Sequence, residues 1–237
     1  MSNREILDQT LSRGYRRIII RPEKFKEDRI SDFSSLDKIM KNDTVKMYSW
    51  VFPLTGLVIF PPVYGKDYIE RGLDNFDYHE FWRFYQSGQF IHFSGMLPDW
   101  REKCFVRPLS YQNLNSDIRV LGIGETILYF TLVFEFLSRL AVKDFWEDIT
   151  TVDFLFGNLE NRTLWVDGTS RFPLWRQFES SGDLRSLTVF KERKFSKQDL
   201  STGGDSFALE ASSEVFKRFG WDAPPDVLKS YQKLYRS

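Results

Sequence analysis

Phe81-Trp82-Arg83-Phe84-Tyr85-Gln86, then Ser87-Gly88, then Gln89-Phe90-Ile91-His92-Phe93-Ser94 is the stretch that decides the reading of the fold. Two aromatic, strand-forming runs around a small polar turn are the signature of a β-hairpin. With Ser87-Gly88 as a two-residue loop, Gln86 faces Gln89, Phe84 faces Ile91, Arg83 faces His92 and Trp82 faces Phe93. Side chains alternate along a strand, so this register predicts one buried face made of Trp82, Phe84, Ile91 and Phe93. The opposite face carries Phe81, Arg83, Tyr85, Phe90, His92 and Ser94, an aromatic surface with polar centres.

On the N-terminal side, residues 3–12 have helical spacing through Ile6, Leu7 and Leu11, and Gly14 is the stop. Residues 15–21 read as a strand whose β-branched run Ile18-Ile19-Ile20 ends at Pro22. A helix over 34–41 places Leu36, Ile39 and Met40 inward, and 45–50 reads as one strand stopped by Pro53. Residues 54–65, with Gly56, Pro61 and Pro62, read as a loop, and 68–73 as a strand. After the hairpin, 98–103 reads as a short helix and 108–119 as a polar, turn-rich stretch.

Residues 120–142 are the longest apolar run, interrupted by Glu125, Glu135 and Arg139. Each charge near a bilayer centre costs about 2.5–3.5 kcal/mol, so the run reads as a buried helix rather than a membrane span. Glu135 and Arg139, four apart with the acid first, pair along that helix and form a polar stripe with Thr131 and Ser138. Beyond it, 148–156 and 163–167 read as a second hairpin, 171–183 as a loop and 184–195 as a strand. Gly203-Gly204 precedes a helix over 206–219 closed by Gly220, and Pro224-Pro225 leads into a final helix over 226–235. The sum is an α+β fold: a largely antiparallel twisted sheet packed against a long buried helix plus C-terminal helices. A single domain spans 1–237, its C-terminal helical portion covering about residues 204–237.

Thirty-three basic residues balance thirty-three acidic ones across 237 residues, so no net field draws the chain to nucleic acid or membrane. One cysteine excludes an internal disulfide framework and fits a reducing compartment. Met1-Ser2-Asn3-Arg4-Glu5-Ile6 has no apolar segment of a secretory signal, so a cytoplasmic location is expected. The aromatic share of 17%, with 23 phenylalanines, demands a large core.

Nucleotide-binding glycine loops are missing. Gly122-Ile123-Gly124 lacks a following lysine and opens the apolar helix instead. His79-Glu80 has no second histidine four residues on, and neither a G-x-S-x-G elbow nor an S-x-x-K pair occurs. Cys104, between Lys103 and Phe105, reads as a structural thiol. Asp148, Asp153, Glu160 and Asp167 read as surface acids rather than a metal set. No catalytic constellation, metal site or cofactor is expected.

His79 and His92 are the only residues with an ordinary pKa suited to proton transfer near neutrality. The candidate ligand platform is Trp82, Arg83, Tyr85, Phe90 and His92, with Arg83 gripping an anion and Tyr85 or Phe90 stacking a ring. The bland counterpart puts that face under a helix and pairs Arg83 with a buried acid such as Glu135. Arg17, Arg21, Lys191, Arg193 and Lys194 form a lesser candidate for phosphate contact. Arg16 lies on the opposite strand face from Arg17 and Arg21, and Glu23, Glu27, Asp28 and Glu192 dilute the charge, which favours a solvated surface.

Phe81-Trp82-Arg83-Phe84-Tyr85-Gln86-Ser87-Gly88-Gln89-Phe90 with Asp99-Trp100, and later Phe219-Gly220-Trp221-Asp222 with Pro224-Pro225, resemble the C-terminal region of bacterial Schlafen-like (AlbA-type) DNA-binding proteins. Gly14-Tyr15, Trp50, Phe52-Pro53 and the buried helix fit the same layout, so the resemblance covers most of the chain. It implies a companion domain standing alone, without the module that handles nucleic acid, and it supplies no catalytic residues. The function it implies is a non-enzymatic binding or interaction domain with a protein partner. That partner handles nucleic acid in bacterial regulation or defence, so contact with nucleic acid is indirect. The alternatives are a nuclease or nucleotide-processing enzyme using His92 with Arg83 or an acidic cluster, and a structural subunit that buries an aromatic face in a larger assembly.

Overall fold

Ser2 accepts a hydrogen bond from the Glu5 backbone while the Glu5 carboxylate reaches back to the Ser2 N–H, a capping box that starts the first helix. The computed structural model describes residues 1–55, 61–75, 78–100, 119–166 and 174–236. Cys104, Gly56, Asp167 and the polar stretch 108–118 lie outside the described residues. In chain order the first half runs α1 (Asn3–Leu11), β1 (Tyr15–Pro22), α2 (Phe33–Asp43), β2 (Val45–Met47), β3 (Trp50–Phe52), β4 (Val63–Tyr64), β5 (Tyr68–Asn75), β6 (Tyr78–Tyr85) and β7 (Phe90–Gly95). A 3-10 turn at Leu97–Asp99 follows, then β8 (Arg119–Gly122), α3 (Ile123–Ala141), β9 (Ile149–Gly157), β10 (Arg162–Trp165), β11 (Ser186–Ser196), α4 (Lys197–Lys217) and α5 (Pro225–Arg236).

The main sheet has the order β11-β9-β1-β7-β6-β5-β4, with every neighbouring pair antiparallel. The fold is therefore α+β, as the strand and helix periods predict. β1 is an interior strand beside the central β7, its alternate residues Arg16, Ile18 and Ile20 buried on the face that meets α3. α4 and α5 cover the far side of α3, so α3 is buried nearly all round, with Phe130, Phe134 and Phe136 in one core cluster. Such a helix is apolar on every side because it has protein on every side. Glu135 and Arg139 form the expected pair at 3.2 Å, and among the described residues no helix is long and apolar enough to cross a membrane. α1 packs on the opposite face of the sheet, over β5, β6 and β7.

The deciding hairpin forms, but its loop has three residues, not two. The Gly88 N–H donates to the Tyr85 carbonyl at 2.9 Å, the Tyr85 N–H donates to the Gln89 carbonyl at 2.9 Å, and Gly88 sits at φ 86. A type I turn followed by a left-handed glycine adds one residue to the loop. The register becomes Phe84 with Phe90, Arg83 with Ile91 and Trp82 with His92. That one-residue slip turns every β7 side chain to the other face of the sheet. Phe90, His92 and Ser94 join Trp82 and Phe84 in the core, while Ile91 and Phe93 share the α1 side with Phe81 and Arg83.

Three further expectations need correction. Residues 45–50 are not one strand, because Tyr48 and Ser49 take φ 54 and 70 and fold the segment into the β2–β3 hairpin. β9 and β10 do not pair. Both edges of β9 are taken by β1 and β11, and β10 runs parallel to β8 instead. The last long helix starts not after Gly203-Gly204 but at Lys197, where Ser196 and Asp199 make a second capping box.

Candidate binding site

The five platform residues do not share a face. Trp82, Phe90 and His92 are buried on the α3 side, whereas Arg83 and Tyr85 are on the other side of the sheet. Arg83 is already engaged there: its Nε donates to Glu70 at 2.8 Å, its Nη1 donates to the Tyr85 hydroxyl at 3.2 Å, and it lies 4.2 Å over the Tyr68 ring. Its acid is Glu70 on the neighbouring strand, not Glu135, which binds Arg139 and Arg236. The basic clusters are neutralised in a similar way. Arg21 pairs with Glu192 at 2.6 Å, Lys194 with Glu23 at 2.6 Å, and Arg193 with Glu210 while stacking over Phe190. Lys191 is exposed and Arg17 half-buried, so the group presents salt-bridged surface rather than a continuous basic track. Asp153 accepts a hydrogen bond from the Glu192 backbone and thereby holds the irregularity in β11. No cluster of metal-ligating side chains exists among the described residues.

Polar chemistry is concentrated inside instead, under the N-terminal half of α3. On the core face of the sheet Arg16, Ser94 and Glu80 line up across β1, β7 and β6, and His92 occupies the next row between Ile18 and Trp82. α3 supplies Glu125 and Tyr129, four residues apart and hence on one helix face. The β2–β3 hairpin supplies Trp50 and Phe52. Arg16, Trp50, Val51, Phe52, Tyr78, Glu125, Leu128, Tyr129 and Leu132 line a small cleft of about 20 Å3, room for roughly one water molecule.

Arg16 is 3% exposed. Its Nη2 lies 2.6 Å from Glu125 Oε1, off the hydrogen-bond line, so the contact is Coulombic. The guanidinium also sits 5.0 Å over the Tyr129 ring. Glu125 Oε1 accepts the Leu97 N–H at 3.2 Å. Glu80 is held from three sides. Leu54 N–H donates to it at 2.8 Å, the Tyr78 hydroxyl donates at 2.7 Å, and His92 Nε2 stands 3.2 Å away without hydrogen-bond alignment. Burial pushes the Tyr78 hydroxyl well above its ordinary value, and the Glu80 carboxylate adds to the effect. Burial likewise raises Tyr129, against the pull of Arg16 and with the help of Glu80. Both phenols are therefore protonated donors at any working pH.

Several of these buried atoms have no hydrogen-bond partner among the described residues: Arg16 Nε, the Tyr129 hydroxyl, Ser94 Oγ and both His92 nitrogens. Leaving a buried polar group unsatisfied costs about 1–3 kcal/mol, so each of these atoms calls for a partner beyond the described residues: a water, a ligand or another part of the chain. Sequence reasoning found His92 but missed Arg16, Tyr129, Glu80 and Glu125. The signal was an arginine on the inward face of a strand otherwise lined by Ile18 and Ile20, together with a glutamate in an apolar helix. A charge in such a place needs a partner.

A second buried pair, Arg162 with Asp99, contrasts with this one. Arg162 is fully buried, and its Nη1 and Nη2 donate to Asp99 at 2.8 and 2.6 Å, while Nε donates to the Asn158 carbonyl at 2.7 Å and Nη1 to the Val120 carbonyl at 3.1 Å. Asp99 also accepts the Gly14 N–H at 2.7 Å. This network is satisfied by the chain itself and fixes β8, β10 and the end of α1 to one another. Comparison with family models, curated proteins and solved structures gives no match for the chain.

Proposed function

We propose that this chain is a non-enzymatic binding domain whose ligand binds at the cleft between β3, β6 and α3. The observation that supports it is the set of buried polar atoms without a partner among the described residues, Arg16 Nε and the Tyr129 hydroxyl foremost, in residues that line a cleft whose other walls are apolar and aromatic. Ligand sites have this composition: mostly hydrophobic lining with a few convergent polar groups. A fragment screen read by protein chemical shifts tests it. Binders are expected to perturb Trp50, Leu128 and Leu132, and Leu128→Trp, which fills the cleft, abolishes the response. Perturbations that collect elsewhere on the chain defeat the reading.

The enzyme alternative has one observation in its favour, the His92–Glu80 approach beside two tyrosines. Against it, His92 is fully buried and the cleft lining ends at Phe52 and Tyr129, in front of the imidazole. Turnover of a nucleotide or nucleic acid by the purified chain, lost in His92→Phe, decides for the enzyme.

The biological setting we propose is a cytoplasmic one, in which the domain acts with a nucleic-acid-handling protein in bacterial regulation or defence. This part rests on the resemblance carried by Phe81 to Phe90 and by Phe219-Gly220-Trp221-Asp222. Those blocks are core strand and helix stop, and the partner is sought by co-purification from a host that carries both genes.

A further inference from the structure

α1 is weakly anchored for an element that covers a buried titratable group. Its nine residues are fewer than an isolated helix needs to be stable in water. Only Ile6 and Thr10 are buried, and Thr10 spends its hydroxyl on the Ile6 carbonyl at 2.8 Å. Leu7 and Leu11 are half-buried, while Arg4, Glu5 and Asp8 are exposed. Side chains tether the two ends. Asn3 Oδ1 accepts the Gly72 N–H at 2.9 Å and Asn3 Nδ2 donates to Glu70 at 3.1 Å. At the other end Asn158 donates to the Leu11 and Arg13 carbonyls at 3.2 and 2.7 Å. The chain is pinned just after the helix, where the Gly14 N–H donates to Asp99 and the Gly14 carbonyl accepts the Met96 N–H, both at 2.7 Å. Ser12 and Arg13 therefore form the pivot about which α1 can leave the sheet while β1 stays paired.

Beneath α1, on its side of the sheet, lie Gly72, Phe81 and His79. The helix comes so close to Gly72 that a Cβ there would stand 2.7 Å from Ile6 Cδ1 and 2.8 Å from Asn3 Oδ1. His79 is 2% exposed. Two charged groups face it: Asp74 on β5, 3.0 Å from Nδ1 and off the hydrogen-bond line, and Arg13 at the end of α1, stacked over Trp100 at 4.4 Å. The Trp100 ring packs on the imidazole at 3.8 Å. Asp99 on the 3-10 turn is committed to Arg162 and Gly14, and Glu80, the next residue of β6, turns to the opposite face. Burial makes the His79 ring resist a proton, Arg13 adds to the resistance and Asp74 opposes it. An opening that wets the ring raises its proton affinity, so by linkage a proton favours the opening.

We propose that α1 is a latch that opens on its own, hinged at Ser12 and Arg13, and that protonation of His79 releases it from β5 and β6. In the open state Phe81 joins the half-buried Phe93 and Ile91 in one apolar strip of the sheet. The latch is independent of the cleft, which lies on the other side of the sheet.

Backbone amide exchange on the full chain tests it, comparing residues 6–11 with β1 and α3 at about pH 7.5 and about pH 5.5, each corrected for the intrinsic exchange rate. One proton acting one unit below the ordinary 6.5 shifts the opening equilibrium by at most about tenfold. Protection in α1 is therefore expected to fall about three- to tenfold on acidification while β1 and α3 keep theirs. His79→Gln should hold α1 protection level across pH. Gly72→Ala, whose methyl meets Ile6 and Asn3, should lower α1 protection about fivefold or more at both pH values. If α1 exchanges in step with β1 and α3 in the native chain, or if Gly72→Ala strips protection from all three, α1 belongs to the main cooperative unit and the latch is wrong. If α1 opens separately but its protection ignores pH, or drops equally in His79→Gln, the histidine is not its trigger.

Discussion

At the scale of single residues, two of the buried arginines, Arg16 and Arg162, have opposite states of satisfaction. Arg162 spends its donors on Asp99, Asn158 and Val120, whereas Arg16 has one Coulombic contact and a ring. The strand alternation that separates Arg16 from Arg17 and Arg21 is legible in the sequence. That Arg16 meets Glu125 is not, because the meeting depends on which strand α3 crosses. Removing one member of a buried pair strands the other's charge and costs about 3–5 kcal/mol. Glu125 keeps some solvent, its side chain being 12% exposed, so the lower end of that range applies. Arg16→Met is therefore expected to destabilise the chain by about 3 kcal/mol in urea unfolding, and adding Glu125→Gln should recover much of the loss. Glutamine keeps a carbonyl for the Leu97 N–H but carries no stranded charge. A double variant no more stable than Arg16→Met would mean that the arginine matters for packing alone. Trp82, Phe90 and His92 were singled out by type and proved to be core, which is the ordinary fate of aromatic residues in a phenylalanine-rich chain.

Elements went astray in the sequence reading where glycine was given the wrong task. Ser87-Gly88 looks like a complete turn, but Gly88 is the left-handed third residue of the loop, and one residue is enough to exchange the faces of β7. Gly203-Gly204 looks like a break, yet both sit inside α4, whose start is set by Ser196 and Asp199 seven and four residues earlier in the chain than Gly203. A strong cap followed by tertiary contact with α3 outweighs the helix penalty of two glycines, about 1 kcal/mol each. A Cβ added at Gly204 would lie 3.6 Å from the Phe134 carbonyl oxygen and 3.7 Å from its Cβ, ordinary contact distances. Gly204→Ala should thus stabilise the chain by about 0.5–1 kcal/mol, through helix propensity and a less flexible unfolded state. Gly203→Ala should gain less, since its Cβ would come within 2.8 Å of the Phe207 ring. Thermal unfolding of the two single variants ranks them. The opposite ranking would show that α4 needs its close approach to α3 at residue 204.

For the molecule as a whole, the alternation of strand and helix periods gave an antiparallel sheet around a buried helix, while strand order stayed hidden. β1 lies between β7 and β9, partners distant in sequence, and nothing local marks an interior strand except its inward Ile18 and Ile20. One consequence of this layering is testable through pH. β6 puts His79 on the α1 side of the sheet, where it is buried, 3.0 Å from Asp74 and 3.8 Å from the Trp100 ring. Burial lowers its pKa from the ordinary 6.5; Asp74 works against the shift and Arg13 with it. Above 6.5 the imidazole is neutral in both folded and unfolded chains and contributes no pH dependence. As pH falls below that value the unfolded chain takes up a proton that the folded chain resists, so folding stability declines. Asp32, held low by the Ser35 backbone N–H, contributes its own loss only around and below its ordinary 3.8. Glu214, raised above 4.5 by burial, acts in the opposite sense, so the histidine is isolated by comparison with a variant. Urea midpoints at about pH 7.5 and about pH 5.5 should fall for the native chain and fall less for His79→Gln, which keeps a polar side chain of similar reach but cannot titrate. Equal declines in the two proteins would show that the cover formed by α1, Arg13 and Trp100 does not keep His79 neutral, and that this side of the sheet is wetter than its packing indicates.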